Sequence, residues 1–170
     1  MKKILLIILS CLLIAGCSIE REYNAFEEIS YDVPSIFRLE YEYDGIKRYE
    51  YNSDSVSCDI YFDSYRKIIY YSDTDKEYWF RRRINIDLNA IVSDVEELDI
   101  NDNKVLHVTI KDVSFSHVQP ILYHYYEFVS SNYEYLIKYR IDNDNDEEID
   151  YKTHPCFKYM DELIYSVKLK

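Results

Sequence analysis

Glycine is nearly absent from this 170-residue chain, which contains only Gly16 and Gly45. Phosphate-binding loops, dinucleotide-binding fingerprints and the nucleophile elbow of hydrolases all require glycines at fixed positions. Glycine is needed there because it alone lets the backbone turn tightly beside a ligand or nucleophile. The sequence therefore excludes these motifs, and it contains neither low-complexity stretches nor internal repeats.

Metal and catalytic signatures are also missing. A catalytic zinc site needs about three converging protein ligands, and no pair among the four histidines has the i, i+4 spacing of a helical metal motif. His107 and His124 fall on different predicted strands. Neither a Ser/His/Asp nor a Cys/His pattern appears, and 32 acidic residues make carboxylate pairs uninformative. We predict a non-enzymatic protein that uses no cofactor.

Positive charge is in deficit, since the formal net charge is -12. Nucleic-acid binding depends on cationic contacts with phosphates, so the sequence predicts no nucleic-acid partner. The same charge opposes direct docking of the protein on anionic lipid. An acidic surface of this kind is typical of a protein that must stay soluble.

The first residues have the order of an export signal. Lys2 and Lys3 precede an apolar run from Ile4 to Ile14, and small residues follow. A buried helix or a retained membrane anchor is the alternative, but the run is shorter than the roughly 20 residues that a spanning helix needs.

The residues Ile14-Ala15-Gly16-Cys17 resemble the lipobox of bacterial lipoproteins. The resemblance implies that diacylglyceryl is attached to the Cys17 sulfur and that the chain is cleaved between Gly16 and Cys17. Two or more acyl chains anchor a protein stably to a bilayer. We expect a signal peptide at 1–16, a lipidated N-terminus and tether at 17–28, and one globular domain at 29–170, exported and facing outside the cytoplasm.

After processing, Cys58 and Cys156 are the remaining thiols if Cys17 is lipidated. Two cysteines outside the cytoplasm allow one disulfide. Two separate buried thiols are the alternative, typical of an anaerobe without oxidising machinery.

The domain is expected to be α+β, a largely antiparallel β-sheet packed by two or three helices. Alternating polarity predicts strands at about 36–43, 46–51, 56–62, 67–71, 105–113, 120–129 and 133–141. Asp44-Gly45 is typical of a hairpin turn, and Cys58 falls on an inward face. Helices are predicted around Tyr78-Trp79-Phe80, at 87–98 and in the segment after Pro155.

The order of hairpin, inward cysteine strand, middle helix, three-strand meander and terminal helix resembles the Mog1/PsbP-type fold. The resemblance extends over about 30–170, by pattern only. That fold hosts unrelated roles, so it implies no catalytic residues. Cystatin-like and small barrel arrangements are the alternatives.

Three surface features suggest binding. Asp142, Asp144 and Asp146 begin like a calcium loop, but Glu147 replaces its glycine and Thr153 its bidentate glutamate, which favours a solvated loop. The basic run Arg81-Arg82-Arg83 follows Trp79-Phe80 and could grip an anionic partner; an exposed patch neutralised by carboxylates is the alternative. The 20 tyrosines suit a glycan or peptide surface, or packing on a half-buried sheet.

These observations predict a lipid-anchored protein whose domain binds or scaffolds another envelope component, an unidentified protein or polymer. A small-ligand or metal-binding lipoprotein serving transport is the first alternative. A hydrolase without a recognisable motif is the second.

Overall fold

The structure is a computed structural model that describes residues 26–52, 56–67, 76–84, 90–112, 121–143 and 155–170. Within these ranges the elements follow in this order: β1 (Ile29–Ser30), β2 (Arg38–Tyr43), β3 (Ile46–Asn52), β4 (Val56–Arg66), α1 (Lys76–Ile84), β5 (Ala90–Val92), β6 (Glu96–Ile100), β7 (Asn103–Asp112), β8 (Ile121–Val129), β9 (Tyr133–Asn143), α2 (Pro155–Ser166) and β10 (Lys168–Leu169).

Eight of these strands form one antiparallel sheet. Its order is β2-β3-β4-β9-β8-β7-β5, and β6 pairs with β7 beside β5. The short strands β1 and β10 form a separate ladder that joins the two ends of the domain. The predicted α+β class is confirmed in this broad sense. The sheet is open, so the small barrel alternative is wrong.

One side of the sheet, the core face, packs against α2. The predicted alternation is confirmed here, because Cys58 is fully buried and successive inward residues of β9 share this face. From the sheet the core includes Cys58, Ile60, Phe62, Tyr135, Ile137, Tyr139 and Ile141, and from α2 it includes Cys156, Met160, Leu163 and Ile164. Burial of these apolar side chains holds α2 on the sheet.

The other side, the outer face, carries α1. Phe80 and Ile84 of α1 pack on Val108, Ile110 and Leu136 of the sheet. The predicted helix around Tyr78-Trp79-Phe80 is therefore confirmed. Its first turn is acidic and its last turn is basic, which matches the helix dipole.

The helix predicted at 87–98 is wrong. Residues 90–92 form β5 and residues 96–100 form β6, while 85–89 lie outside the described residues. The apolar residues Leu98 and Ile100 also have the period-two spacing of a strand, and Ile100 is 1% exposed. Because the edge of β7 is available for pairing, tertiary structure overrides the local helical pattern.

The hairpin between β2 and β3 turns at Asp44-Gly45 as predicted. Both residues have positive φ, 46° and 78°, the region that favours glycine and tolerates aspartate. β4 continues to Arg66. Of the separate strand predicted at 67–71, Lys67 is not in a strand and 68–71 lie outside the described residues.

Candidate functional site

Tyrosines and cations alternate across five strands on the outer face. Tyr41 of β2 is opposite Arg48 of β3, and Arg48 is opposite Tyr61 of β4. Tyr61 is opposite Lys138 of β9, which is opposite Tyr125 of β8. We call these five residues the tyrosine–cation row. Neighbouring strands lie about 4.8 Å apart, so each cation is held beside an aromatic ring.

The contacts in the row are cation–π in character. The Arg48 guanidinium carbon lies 5.3 Å from the Tyr61 ring centroid. The Lys138 ammonium nitrogen lies 5.0 Å from Tyr61, 6.0 Å from Tyr125 and 4.9 Å from Tyr123, which stands beside the row on β8. Such contacts contribute about 0.5–1 kcal/mol when exposed and about 2 kcal/mol or more when desolvated. The rings therefore favour a charged Lys138 locally.

Lys138 has no carboxylate oxygen within 4 Å and no hydrogen-bond partner in the described part of the chain. Burial lowers its pKa, Arg140 lowers it further, and the more distant carboxylates of Asp63 and Asp59 oppose the shift. Burial also raises the pKa of Asp63. The half-buried Lys138 ammonium therefore has N–H groups that can donate hydrogen bonds to a ligand.

The neighbouring arginines are partly neutralised. The buried Asp59 accepts a hydrogen bond from Arg48 at 3.0 Å and one from Arg140 at 3.4 Å. Arg48 also pairs with Glu40 at 2.7 Å, and Arg140 with Asp142 at 2.5 Å. Both guanidinium Nε atoms are nevertheless buried without a partner in the described residues. Unused buried donors are unfavourable, and both atoms are shielded from solvent, so they lie beyond the reach of a ligand on this face.

A second cluster of charge lies where α1 crosses the sheet. Arg83 pairs with Glu127 of β8 and with Glu134 of β9, whose side chains are 1% and 2% exposed. Burial raises the pKa of Glu134, and Arg83 opposes that shift. The guanidinium also faces the Tyr65 ring at 5.6 Å. One arginine thus holds two buried carboxylates, and the cluster docks α1 on the sheet.

His107 and His124 are neighbours on β7 and β8. His107 Nε2 lies 3.1 Å from His124 Nδ1, and Thr109 Oγ1 lies 3.4 Å from the same atom. Burial, with a further contribution from His107, lowers the pKa of His124 to about 3. Burial also lowers the pKa of His107, opposed by Glu96. A neutral, hydrogen-bonded pair accounts for this geometry.

Among the described residues, no three His, Cys, Asp or Glu side chains are grouped to hold a metal ion. Of the predicted calcium ligands, Asp142 pairs with Arg140, while Asp144 and Asp146 lie outside the described residues.

Of the predicted anionic-partner residues, Phe80, Arg81 and Arg83 do not share one surface. Phe80 is fully buried and Arg83 is turned onto the buried glutamates. Arg81 pairs with Glu77 at 2.9 Å one turn earlier, and Arg82 is exposed. The Trp79 side chain lies outside the described residues. In α1 these residues point in different directions because successive helical side chains are about 100° apart.

Cys58 of β4 and Cys156 of α2 form a disulfide, with their Cα atoms 6.4 Å apart. The bond joins residues 98 positions apart in the sequence. It fastens the start of α2 to the core face near the start of β4.

The sequence analysis did not predict the tyrosine–cation row, although it did show which residues of two of the strands point inward. The inward residues of β4 and β9 were identified, and the residues between them are Asp59, Tyr61, Lys138 and Arg140. Which outward residues are opposite one another depends on strand order and register, which no local pattern contains.

Comparison with known proteins adds no relative. No protein-family model matches the chain, and no curated protein sequence matches it. The predicted signal segment and Cys17 lie outside the described residues. Within those residues, no helix has the length and apolar character needed to span a bilayer.

Proposed function

We propose that this chain is an exported, lipid-anchored protein of the bacterial envelope that binds another envelope component without catalysing a reaction. The order Lys2-Lys3, apolar run and Ile14-Ala15-Gly16-Cys17 supports export and lipidation. The Cys58–Cys156 disulfide supports the same location, because such bonds persist mainly outside the reducing cytoplasm.

The Lys138 ammonium, which has no carboxylate or hydrogen-bond partner among the described residues, carries the binding part of the proposal. It lies among three tyrosine rings, those of Tyr61, Tyr123 and Tyr125. A ligand that combines an anionic oxygen group with an apolar ring or chain would satisfy these groups. Either a small ligand or an envelope polymer fits this description if it carries an anionic oxygen group next to an apolar ring or chain.

Three buried carboxylates of this face, Asp59, Glu127 and Glu134, are engaged by arginines rather than available to a substrate. Glu127 and Glu134 are both held by Arg83, and Asp59 is held by Arg48 and Arg140. A hydrolytic pair needs one carboxyl group that can gain or lose a proton beside the substrate. These pairings instead stabilise the sheet and its helix.

The sequence order of hairpin, inward cysteine strand, middle helix, three-strand meander and terminal helix is the basis of a finer proposal for the fold. From this sequence pattern alone, we propose that the domain is of the Mog1/PsbP type. A crystal structure with a different strand order would refute that assignment.

Anchoring is tested by Cys17→Ala in the native cell. The variant should lose the lipid mass and leave the membrane fraction, or accumulate as the uncleaved precursor. Cys11→Ala is the matched control, because position 11 lies in the segment that is discarded. If Cys17→Ala retains the native mass and fractionation, the anchoring proposal fails.

Binding is tested with phenyl phosphate, which joins an anionic group to a ring, and with inorganic phosphate. Phenyl phosphate should raise the Tm of the native protein more than phosphate does. Lys138→Met should abolish the difference, whereas Lys158→Met, which removes an exposed lysine of α2, should retain it. Equal responses of the two variants would contradict a role for Lys138.

A further inference from the structure

Three of the eight large apolar side chains that are exposed in the described residues lie together at one end of the sheet. This hairpin end contains the turn at Asp44-Gly45 and the last residues of β4, because Ile46 is opposite Asp63. Tyr43 is 77% exposed there, Tyr65 is 41% exposed and Ile46 is 36% exposed. Grouped exposed aromatic and aliphatic side chains of this kind mark a contact surface.

The chain enters the domain at the same end. The Phe26 ring lies 4.5 Å from the Lys47 ammonium and stacks on Tyr135 at 6.4 Å. Glu28 accepts hydrogen bonds from Asn132 and from Ser130, at 2.6 Å for the latter. The turn that carries these two residues connects β8 to β9 and lies beside the end of β4. The start of the domain is therefore fixed at the hairpin end.

The chain length between the lipidation site and Phe26 limits how the domain can sit. Phe26 follows Cys17 by nine positions, a span of at most about 32 Å when fully extended. The opposite end of the sheet carries Ile91, which is 62% exposed and opposite Lys111. Along β7, Lys111 is about 27 Å from Asn103, at the hairpin end. Turning Ile91 to the bilayer would stretch the tether almost fully, at a large cost in entropy.

We propose that the hairpin end rests on the membrane, with Tyr43, Ile46 and Tyr65 in the bilayer–water interface. The inference rests on the proposed lipid anchor, which keeps these side chains at high effective concentration near the bilayer. Tyrosine is suited to this position because its ring enters the headgroup region while its hydroxyl stays hydrated. Arg66, exposed at the end of β4, can pair with lipid phosphate.

Photo-crosslinking in the full-length chain tests this contact. Benzoylphenylalanine is placed at Tyr43 in one sample and at Ile91 in another, in cells grown with [32P]phosphate. Both positions are exposed, so both variants should fold. Illumination should transfer 32P-labelled phospholipid to the protein at position 43, at least about five times more than at position 91. The diacylglyceryl anchor contains no phosphorus, so it contributes no signal.

Membrane fractionation of the same samples separates the possible failures. The chain can be in the membrane while position 43 gives no more lipid adduct than position 91, or gives adducts with protein. In that case the membrane contact is overturned and the anchor stands. If the chain is not in the membrane, both proposals fail. Benzoylphenylalanine at Tyr65 is the second position and should behave like position 43.

Discussion

At the scale of single residues, burial determines which titratable groups are charged. The Lys138 pKa is lowered and the Asp63 pKa is raised, in both cases mainly by burial. Each group therefore lies closer to neutrality than it would in water. His124 shows the largest such effect for a histidine in the described residues. These residues link the stability of the domain to pH.

The neutral state of His124 makes a testable contribution to the pH dependence of the unfolding free energy. Its pKa in the folded protein is about 3, against an ordinary value of 6.5. Between these values the unfolded chain binds a proton that the folded chain does not. The contribution is therefore complete above pH 6.5 and is lost as the pH falls toward 3. In urea unfolding, His124→Phe should reduce the pH slope of the unfolding free energy by up to about 1.4 kcal/mol per unit.

The control for this prediction is the same pair of proteins above pH 7.5. In that range His124 of the native protein is neutral in the folded and in the unfolded chain. The unfolding free energies of the native protein and the variant should therefore differ by a constant. A variant with the native slope between pH 6.5 and 4 would show that His124 does not remain neutral in the fold.

At the scale of elements, each helix is attached to the sheet in a different way. α2 is held by a large apolar core and by the disulfide. α1 is held by fewer apolar residues and by Arg83 between two buried glutamates. Strand positions were predicted well from alternation, because alternation depends only on which face is buried. The segment 87–98 was predicted wrongly as a helix, because the helical spacing of its apolar residues competes with strand pairing along β7.

Removing Arg83 should loosen α1. Arg83→Met leaves Glu127 and Glu134 buried without their shared cation, and breaking a buried pair costs about 3–5 kcal/mol. The loss should be smaller at low pH, where the carboxyl groups are neutral. Arg81→Met removes an exposed pair and should cost less than about 1 kcal/mol. Equal losses in chemical denaturation would refute the docking role.

The disulfide should stabilise the attachment of α2. Replacing both cysteines, Cys58→Ala with Cys156→Ala, should lower the free energy of unfolding by about 4–5 kcal/mol, the chain-entropy value for a loop of about 100 residues. Adding a reductant to the native protein should move its urea midpoint to that of the double variant. The double variant itself should not respond to reductant. If the double variant has the native urea midpoint, or if reductant leaves the midpoint of the native protein unchanged, this role is contradicted.

At the scale of the whole molecule, the net charge and the proposed lipid anchor would act in opposite directions. If the proposed signal segment with Lys2 and Lys3 is removed, 18 cations and 32 acids remain, so the net charge is -14. Anionic lipid repels such a body over about a Debye length. The proposed acyl chains and the local contact at the hairpin end would overcome that repulsion.

The domain without lipid should therefore stay in solution. Residues 18–170, mixed with vesicles of phosphatidylglycerol and phosphatidylcholine at physiological salt, should remain in the supernatant after sedimentation. Lowering the salt should not increase binding, because screening weakens and repulsion grows. Strong binding that increases at low salt would show that a basic patch dominates the surface.

The sequence by itself determined the acidic charge, the absence of glycine-dependent sites, the main strands and the inward direction of Cys58. Each of these depends on composition or on a repeat of two residues, so it can be read locally. Only the tertiary structure decided that 90–100 pairs with β7, that Arg83 turns onto two glutamates, and that Tyr61 and Lys138 are opposite one another. The physical reason is that strand register and helix docking are set by contacts between distant residues, which no local pattern encodes.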